Sequence, residues 1–210
     1  YHFIDWVPDV AAAAKALGWS QYCLLGHSMG AAIAAALAAV CPERITKLVL
    51  VEGLGPLSAE PAELPERLHE YIEYRESQPH RTKPVYPSVA AVVDKLCAVV
   101  PHFSRGAAEL MMERSTQPVP GGVVWRSDSR LRRMPPFLPT EDHVLETLRK
   151  IRCETLIVWA EHGYPFDAEA ISLRLKCIPQ ARIHKMPGTH HLHIDQADRL
   201  APLIQAFLTP

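Results

Sequence analysis

Residues Gly26-His27-Ser28-Met29-Gly30 form a Gly-x-Ser-x-Gly pentapeptide. A serine hydroxyl is a weak nucleophile until a neighbouring base takes its proton during attack. A sharp strand-to-helix turn meets half of that need. It lifts the hydroxyl to the carboxyl edge of a sheet and sets the positive end of the following helix beside it. Gly26 and Gly30, without side chains, are expected to let strand and helix approach closely. The Met29 N–H is then placed to help hold an oxyanion. A tight turn with no chemistry has the same spacing. The apolar run before Ser28 and the alanine-rich stretch after it favour the chemical reading.

A base must reach Ser28. The histidine-rich stretch Pro187-Gly188-Thr189-His190-His191-Leu192-His193 follows the last strand pattern. His190 comes first after the Gly-Thr turn and is the expected base, with His191 as the alternative. His193 is expected to pack or hydrogen-bond at the start of the final helix. Three histidines so close could also ligate a metal. Zinc needs three or four ligands with a supporting shell, and beyond Asp195 no Cys, Asp or Glu set stands out nearby, so no metal is expected.

The third member is a carboxylate that fixes the histidine tautomer and stabilises its protonated form. Glu52 ends the apolar run Leu50-Val51 and precedes Gly53; buried glutamate is rare unless paired. Glu161 and Asp167, after a later strand pattern, are the other candidates. Asp128 lies among arginines in Trp125-Arg126-Ser127-Asp128-Ser129-Arg130 and is expected to pair with them.

These residues need a frame. Phe3–Leu17 reads as a helix, with Asp9 as cap or Pro8 in its first turn and Gly18 at its end. Tyr22–Leu25 reads as a strand buried on both faces, and Ala31–Val40 as a helix by propensity. Further strands are expected at Ile45–Val51, Thr155–Ala160 and Ala181–Met186, with helices at Phe166–Cys177 and Leu200–Leu208. Strands alternating with helices predict an α/β fold, a mostly parallel sheet with helices on both faces. The stretch 54–150 breaks the rhythm: twelve of the 19 prolines fall between Pro56 and Pro139. Helices are expected there at Pro65–Gln78, Val89–Val99 and Arg105–Arg114. The expected division is therefore a core from 1–54 and 151–210, with 55–150 as a mainly helical cap insertion.

Composition narrows the function classes. The 210 residues carry 22 Lys+Arg against 23 Asp+Glu, a net charge of −1, which argues against nucleic acid as a partner. With 48% apolar residues a folded core is expected rather than disorder. The longest apolar run, Ala31–Cys41, is too short for a membrane span. The first residues do not resemble a signal peptide. The five cysteines are widely spaced with no Cys-x-x-Cys, so buried free thiols in a reducing, cytoplasmic setting are expected.

The pentapeptide resembles the nucleophile elbow of the α/β-hydrolase family, and the order Ser28, acid, His190 matches that family's chain order. The resemblance covers most of the chain: four strands, the cap position and the histidine loop. The chain is more closely similar to a serine-hydrolase-like branch with a helical cap. Glu109-Leu110-Met111-Met112-Glu113-Arg114, the segment from Val123 to Leu131, His162-Gly163-Tyr164 and Pro187-Gly188-Thr189-His190 carry that likeness. Many members place an Asp two residues after the position of Glu161. Here it is Gly163, which moves the expected acid to Glu52, one strand earlier. The family also has strands before the elbow and a His-Gly turn that donates a second oxyanion N–H. Neither is found here, so the chain is expected to be N-terminally truncated, with the strand before Ser28 as an edge.

What the resemblance implies is a serine hydrolase that cleaves a carboxylic ester or related acyl compound through an acyl-enzyme. It would require no cofactor and would take a small-molecule acyl substrate. Hydrolysis of a carbon–carbon bond by the same triad, and a non-catalytic binding protein of the same fold, are the alternatives. Specificity is expected from the insertion, whose apolar residues Val92, Val93, Leu96, Val99, Val100, Phe103, Leu110, Met111 and Met112 form its own core and in part line a pocket. Arg126, Arg130, Arg132 and Arg133 are expected mainly in solvated salt bridges.

Overall fold

Apolar side chains on both faces of the central strands, rather than one, require helices on both sides of the sheet. The computed structural model describes residues 2–77, 82–100 and 103–209, in two compact units, one formed by 2–63 with 138–209 and the other by 64–137. In chain order the first unit opens with α1 (Trp6–Ala16), β1 (Tyr22–His27), α2 (Met29–Val40) and β2 (Ile45–Val51). The second unit holds α3 (Leu64–Ser77), α4 (Val89–Val99), α5 (Arg105–Ser115), β3 (Thr116–Val119) and β4 (Gly122–Trp125). The chain then returns to the first unit through α6 (Glu141–Leu148), β5 (Glu154–His162), α7 (Ala168–Lys176), β6 (Arg182–Thr189), α8 (Leu192–Asp195) and α9 (Ala197–Leu208).

The four core strands pair in the order β1-β2-β5-β6, all parallel. The period of two along β2 assigns its two faces. Leu48 and Leu50 pack with the alanines of α2, with Val144 and Leu148 of α6, and with Ile157 and Ile178. Val49 and Val51 pack on the other side with Val158, Met186, Leu200 and Phe207. Alanine dominates α2, and eight of its residues are buried; small side chains let the helix lie close to the strands. The Lys47 ammonium donates to the carbonyls of Phe207, at 2.7 Å, and of Leu208 and Thr209. It caps the C-terminal end of α9 with a positive charge.

Several expectations change. The first helix starts at Trp6, after a short 3₁₀ turn over Phe3–Asp5, so Asp9 lies inside its first turn rather than capping it. β1 is not buried on both faces: as the edge strand of the described sheet it leaves Leu25 48% exposed. Cys23 is exposed for the same reason, and none of the five cysteines is disulfide-bonded. The insertion is narrower than 55–150. Its unit ends at Phe137, because α6 belongs to the core, where Val144, Leu148 and Ile151 are buried. The second unit is also not purely helical: β3 and β4 form an antiparallel hairpin, turning through Gly121 at φ 87°. Val92, Val93, Ala108 and Met112 are buried, whereas Val99 and Leu110 are exposed. Arg130 pairs with Asp128. Gln78 and the side chain of Arg132 lie outside what is described. Among the described residues no helix is long and apolar enough to cross a membrane.

Candidate active site

The turn after β1 is built by backbone contacts. Ser28 has φ 55° and ψ −120°, a conformation that L-residues avoid and that persists only where its surroundings hold it. Its N–H donates to the Val51 carbonyl at 2.9 Å, and its own carbonyl accepts from Ala31 N–H at 2.9 Å. Gly26 is essential to this closure, because a Cβ there would overlap the Gly30 carbonyl. Gly30 is different: a Cβ on it would meet nothing within 4 Å, so of the two motif glycines it is Gly26 that the close approach needs. Gly53 supplies a second close contact, with the Ser28 carbonyl 2.8 Å from the place a Cβ would take. Since the Ser28 N–H is occupied, the next donor is the Met29 N–H. Met29 is the first residue of α2, where no intrahelical carbonyl faces it; its side chain is 52% exposed.

Ser28, His190 and Glu52 are brought together in that order. His190, the first residue after β6, has Nε2 2.8 Å from the Ser28 Oγ and Nδ1 3.0 Å from Glu52 Oε2. An ionised carboxylate only accepts, so Nδ1 carries the proton and Nε2 turns its lone pair to the Ser28 hydroxyl. The residues span 162 positions of sequence between serine and histidine, and the parallel order of β1, β2, β5 and β6 closes that separation.

Glu52 sits directly after β2 with φ 53° and is 1% exposed. Its N–H donates to the Val158 carbonyl at 2.9 Å. Its carboxylate accepts from Ala160 N–H at 2.6 Å and Tyr164 N–H at 3.0 Å, besides His190. Burial pushes the carboxyl pKa up; the bonds from His190, Ala160 and Tyr164 outweigh it and hold the group below its ordinary value. Gly163 completes the fit, because a Cβ there would overlap the Glu52 carboxylate. The volume that an acidic side chain at position 163 would take is filled by the one from position 52.

The loop after Glu52 is tied to the core by Arg174, 4% exposed. Its guanidinium donates to the carbonyls of Leu54 and Pro56 at 2.9 and 2.8 Å and makes a two-pronged pair with Glu141 at 2.8 and 2.6 Å. The Glu141 carboxyl is lowered, first by its bond from Arg174.

The other candidates lie elsewhere. Asp167 caps α7 by accepting from Ala170 N–H at 2.7 Å. Glu161 is exposed at the end of β5. Asp128 caps a 3₁₀ turn in the second unit. The ring nitrogen 2.8 Å from the Ser28 Oγ is that of His190, and the His191 ring lies 5.6 Å from that of His27. His193, expected to pack at the start of the last helix, sits in α8 with its ring 4.2 Å from that of His27. His27 itself was not foreseen as part of the site. Its Nε2 lies 2.6 Å from the His190 carbonyl oxygen, which it can only meet as a donor. Burial lowers the pKa of His27 and of His191 to about 4, and lowers that of His193. All three rings are neutral at pH 7.

Comparison with known proteins accords with this frame. A family model described as the alpha/beta hydrolase fold matches residues 1–197. A serine hydrolase-like protein of Danio rerio is 26% identical over 221 residues, covering 100% of this chain and 67% of that protein. The chain thus spans about two thirds of that relative's length. The crystal structure of a hypothetical protein from Pseudomonas aeruginosa superposes with a TM-score of 0.90 at 38% identity, covering 99% of this chain and 74% of that one. A thioesterase domain from the curacin biosynthetic pathway superposes at 0.80 with 31% identity, over 98% of this chain and 72% of that domain.

Proposed function

The chain belongs to the α/β-hydrolase family, and we propose that it is a serine hydrolase cleaving a carboxylic ester or thioester through an acyl-enzyme on Ser28. The observation that carries this reading is the unbroken series Ser28 Oγ, His190 Nε2 at 2.8 Å, then His190 Nδ1 and Glu52 Oε2 at 3.0 Å. Likeness to a curacin-pathway thioesterase domain supports the acyl substrate class and extends it to thioesters.

The geometry supports acyl transfer in two stages. Ser28 Oγ attacks the acyl carbon while its proton passes to His190 Nε2. The imidazolium that forms is stabilised by Glu52, which keeps the Nδ1 proton in place. The oxyanion is held by Met29 N–H at the positive end of α2. Collapse breaks the bond to the leaving group, which takes the Nε2 proton and departs as alcohol or thiol. Water then attacks the acyl-Ser28 carbon, giving its proton to Nε2. A second collapse frees the carboxylic acid and returns the proton to Oγ.

A panel of p-nitrophenyl acyl esters and acyl thioesters tests the reading. It predicts turnover with an initial burst of about one leaving group per protein, characteristic of a covalent intermediate, and none with Ser28→Ala. Turnover indifferent to Ser28→Ala, or none with any ester or thioester, would overturn it.

A further inference from the structure

We propose that His27, His191 and His193 form a site for a borderline divalent cation such as zinc, and that its occupancy slows acylation of Ser28. One ring nitrogen of each lies within 4.8 Å of the others. The three come from two distant parts of the chain: the last residue of β1 is His27, and the segment after β6 supplies the other two. A local reading of the sequence would group His190, His191 and His193; the fold replaces His190, committed to Ser28 and Glu52, with His27.

Two features suit the site to zinc, copper or nickel rather than to magnesium or calcium. The ligands are all imidazoles, which favour those metals over oxygen-seeking ones. His27 already has one ring nitrogen bonded to a backbone carbonyl, that of His190, the support that metal-bound imidazoles regularly have. A tetrahedral ion with bonds of about 2.05 Å sets its nitrogens about 3.3 Å apart. The cluster must therefore close by up to about 1.5 Å from its 4.8 Å span. His193 is exposed, so its ring can turn inward without displacing core atoms. The Asp195 carboxylate accepts from the Thr189 hydroxyl at 2.7 Å, which leaves the fourth position to a solvent donor.

The coupling follows from chain order. His190 lies between the ligands: His191 and His193 follow it, and the His27 ring holds its carbonyl. Drawing those rings together pulls on the peptide that sets the His190 ring. A displacement of about 1 Å at a reacting group can cost on the order of 100-fold in rate. This part rests on the proposed hydrolase reading; the metal site itself does not.

The test is calorimetric titration of the untagged protein with zinc chloride at pH 7.5, alongside cobalt(II) absorption spectra and a magnesium control. Expected are one zinc per chain, tetrahedral cobalt bands, no magnesium binding, and affinity weakened at least roughly tenfold in His193→Gln. Absence of one-to-one binding, or unchanged affinity in His193→Gln, would overturn the site. The rate of fluorophosphonate attachment to Ser28 is then measured with and without zinc. Slowing by tenfold or more in the native protein and none in His193→Gln is expected. An unchanged rate with zinc bound would overturn the inhibition. No attachment in metal-free protein would count against the hydrolase reading, while the titration still decides the site.

Discussion

Replacing Glu52 with glutamine keeps the shape of the side chain and removes its charge, so it isolates what the carboxylate contributes. Three donors converge on its two oxygens: Ala160 N–H on one, Tyr164 N–H and His190 Nδ1 on the other. A glutamine amide has one accepting end. With its oxygen toward Ala160, the NH₂ faces Nδ1, which must then accept; the His190 proton moves to Nε2 and the lone pair toward Ser28 is lost. With its oxygen toward His190, the NH₂ confronts the Ala160 N–H in a site that excludes water, which costs about 1–3 kcal/mol. The first arrangement sets the NH₂ against the Tyr164 N–H instead, a part-buried contact where that of Ala160 is fully buried, so it costs less and dominates. A wrong-tautomer histidine in such a triad lowers kcat on the order of 10⁴-fold, equivalent to about 5.4 kcal/mol of transition-state stabilisation. The assay is steady-state hydrolysis of a p-nitrophenyl ester by Glu52→Gln, with thermal melting to establish that the variant is folded. Asp167→Asn and Glu161→Gln serve as controls, because asparagine caps a helix about as well as aspartate and Glu161 is exposed. Both are expected within twofold of the native rate. A folded Glu52→Gln retaining a tenth of the activity, or an equal loss in Asp167→Asn, would refute the reasoning.

Two further outcomes concern Gly163 and Glu141. Gly163→Ala places a methyl group on the Glu52 carboxylate; activity should fall on the order of 100-fold with the circular dichroism spectrum unchanged, as measured by parallel kinetics and spectra. Glu141 has a carboxyl pKa held below its ordinary 4.5 by Arg174, so its stabilising contribution is complete above pH 4.5 and is lost as pH falls through the lowered value. Glu141→Gln should flatten that acid limb in urea unfolding. At pH 7 it should destabilise by about 2–3 kcal/mol, below the range for a fully buried pair because Arg174 keeps the carbonyls of Leu54 and Pro56.

What the sequence disclosed depended on how local the signal was. Leu48–Val51 is a continuous apolar run, and β2, Ile45–Val51, contains it. The Gly-x-Ser-x-Gly turn carries its own physics in five residues, and a glutamate closing an apolar strand is conspicuous because charge there needs a partner. The features that were not legible are those made by distance. His27 occupies a variable position of the motif, and only the approach of β6 brings the His190 carbonyl to it. The hairpin β3–β4 was hidden by Pro118 and Pro120, which disfavour a strand except at an edge. Likewise α6 follows a proline-rich stretch at 135–139 that resembles the insertion, yet Val144 and Leu148 complete the core beside Leu48 and Leu50. Gly30 shows the converse: a motif glycine that no close contact requires.

The central claim is that Ser28 is an activated nucleophile with His190 as its base. The most direct test is mass-spectrometric mapping of a fluorophosphonate adduct on the native protein and on His190→Ala, each shown to be folded. The account predicts a stoichiometric adduct on Ser28 in the native protein and its loss in His190→Ala over the same interval. A folded native protein that takes no adduct, or a Ser28 labelled at the same rate without His190, would contradict it.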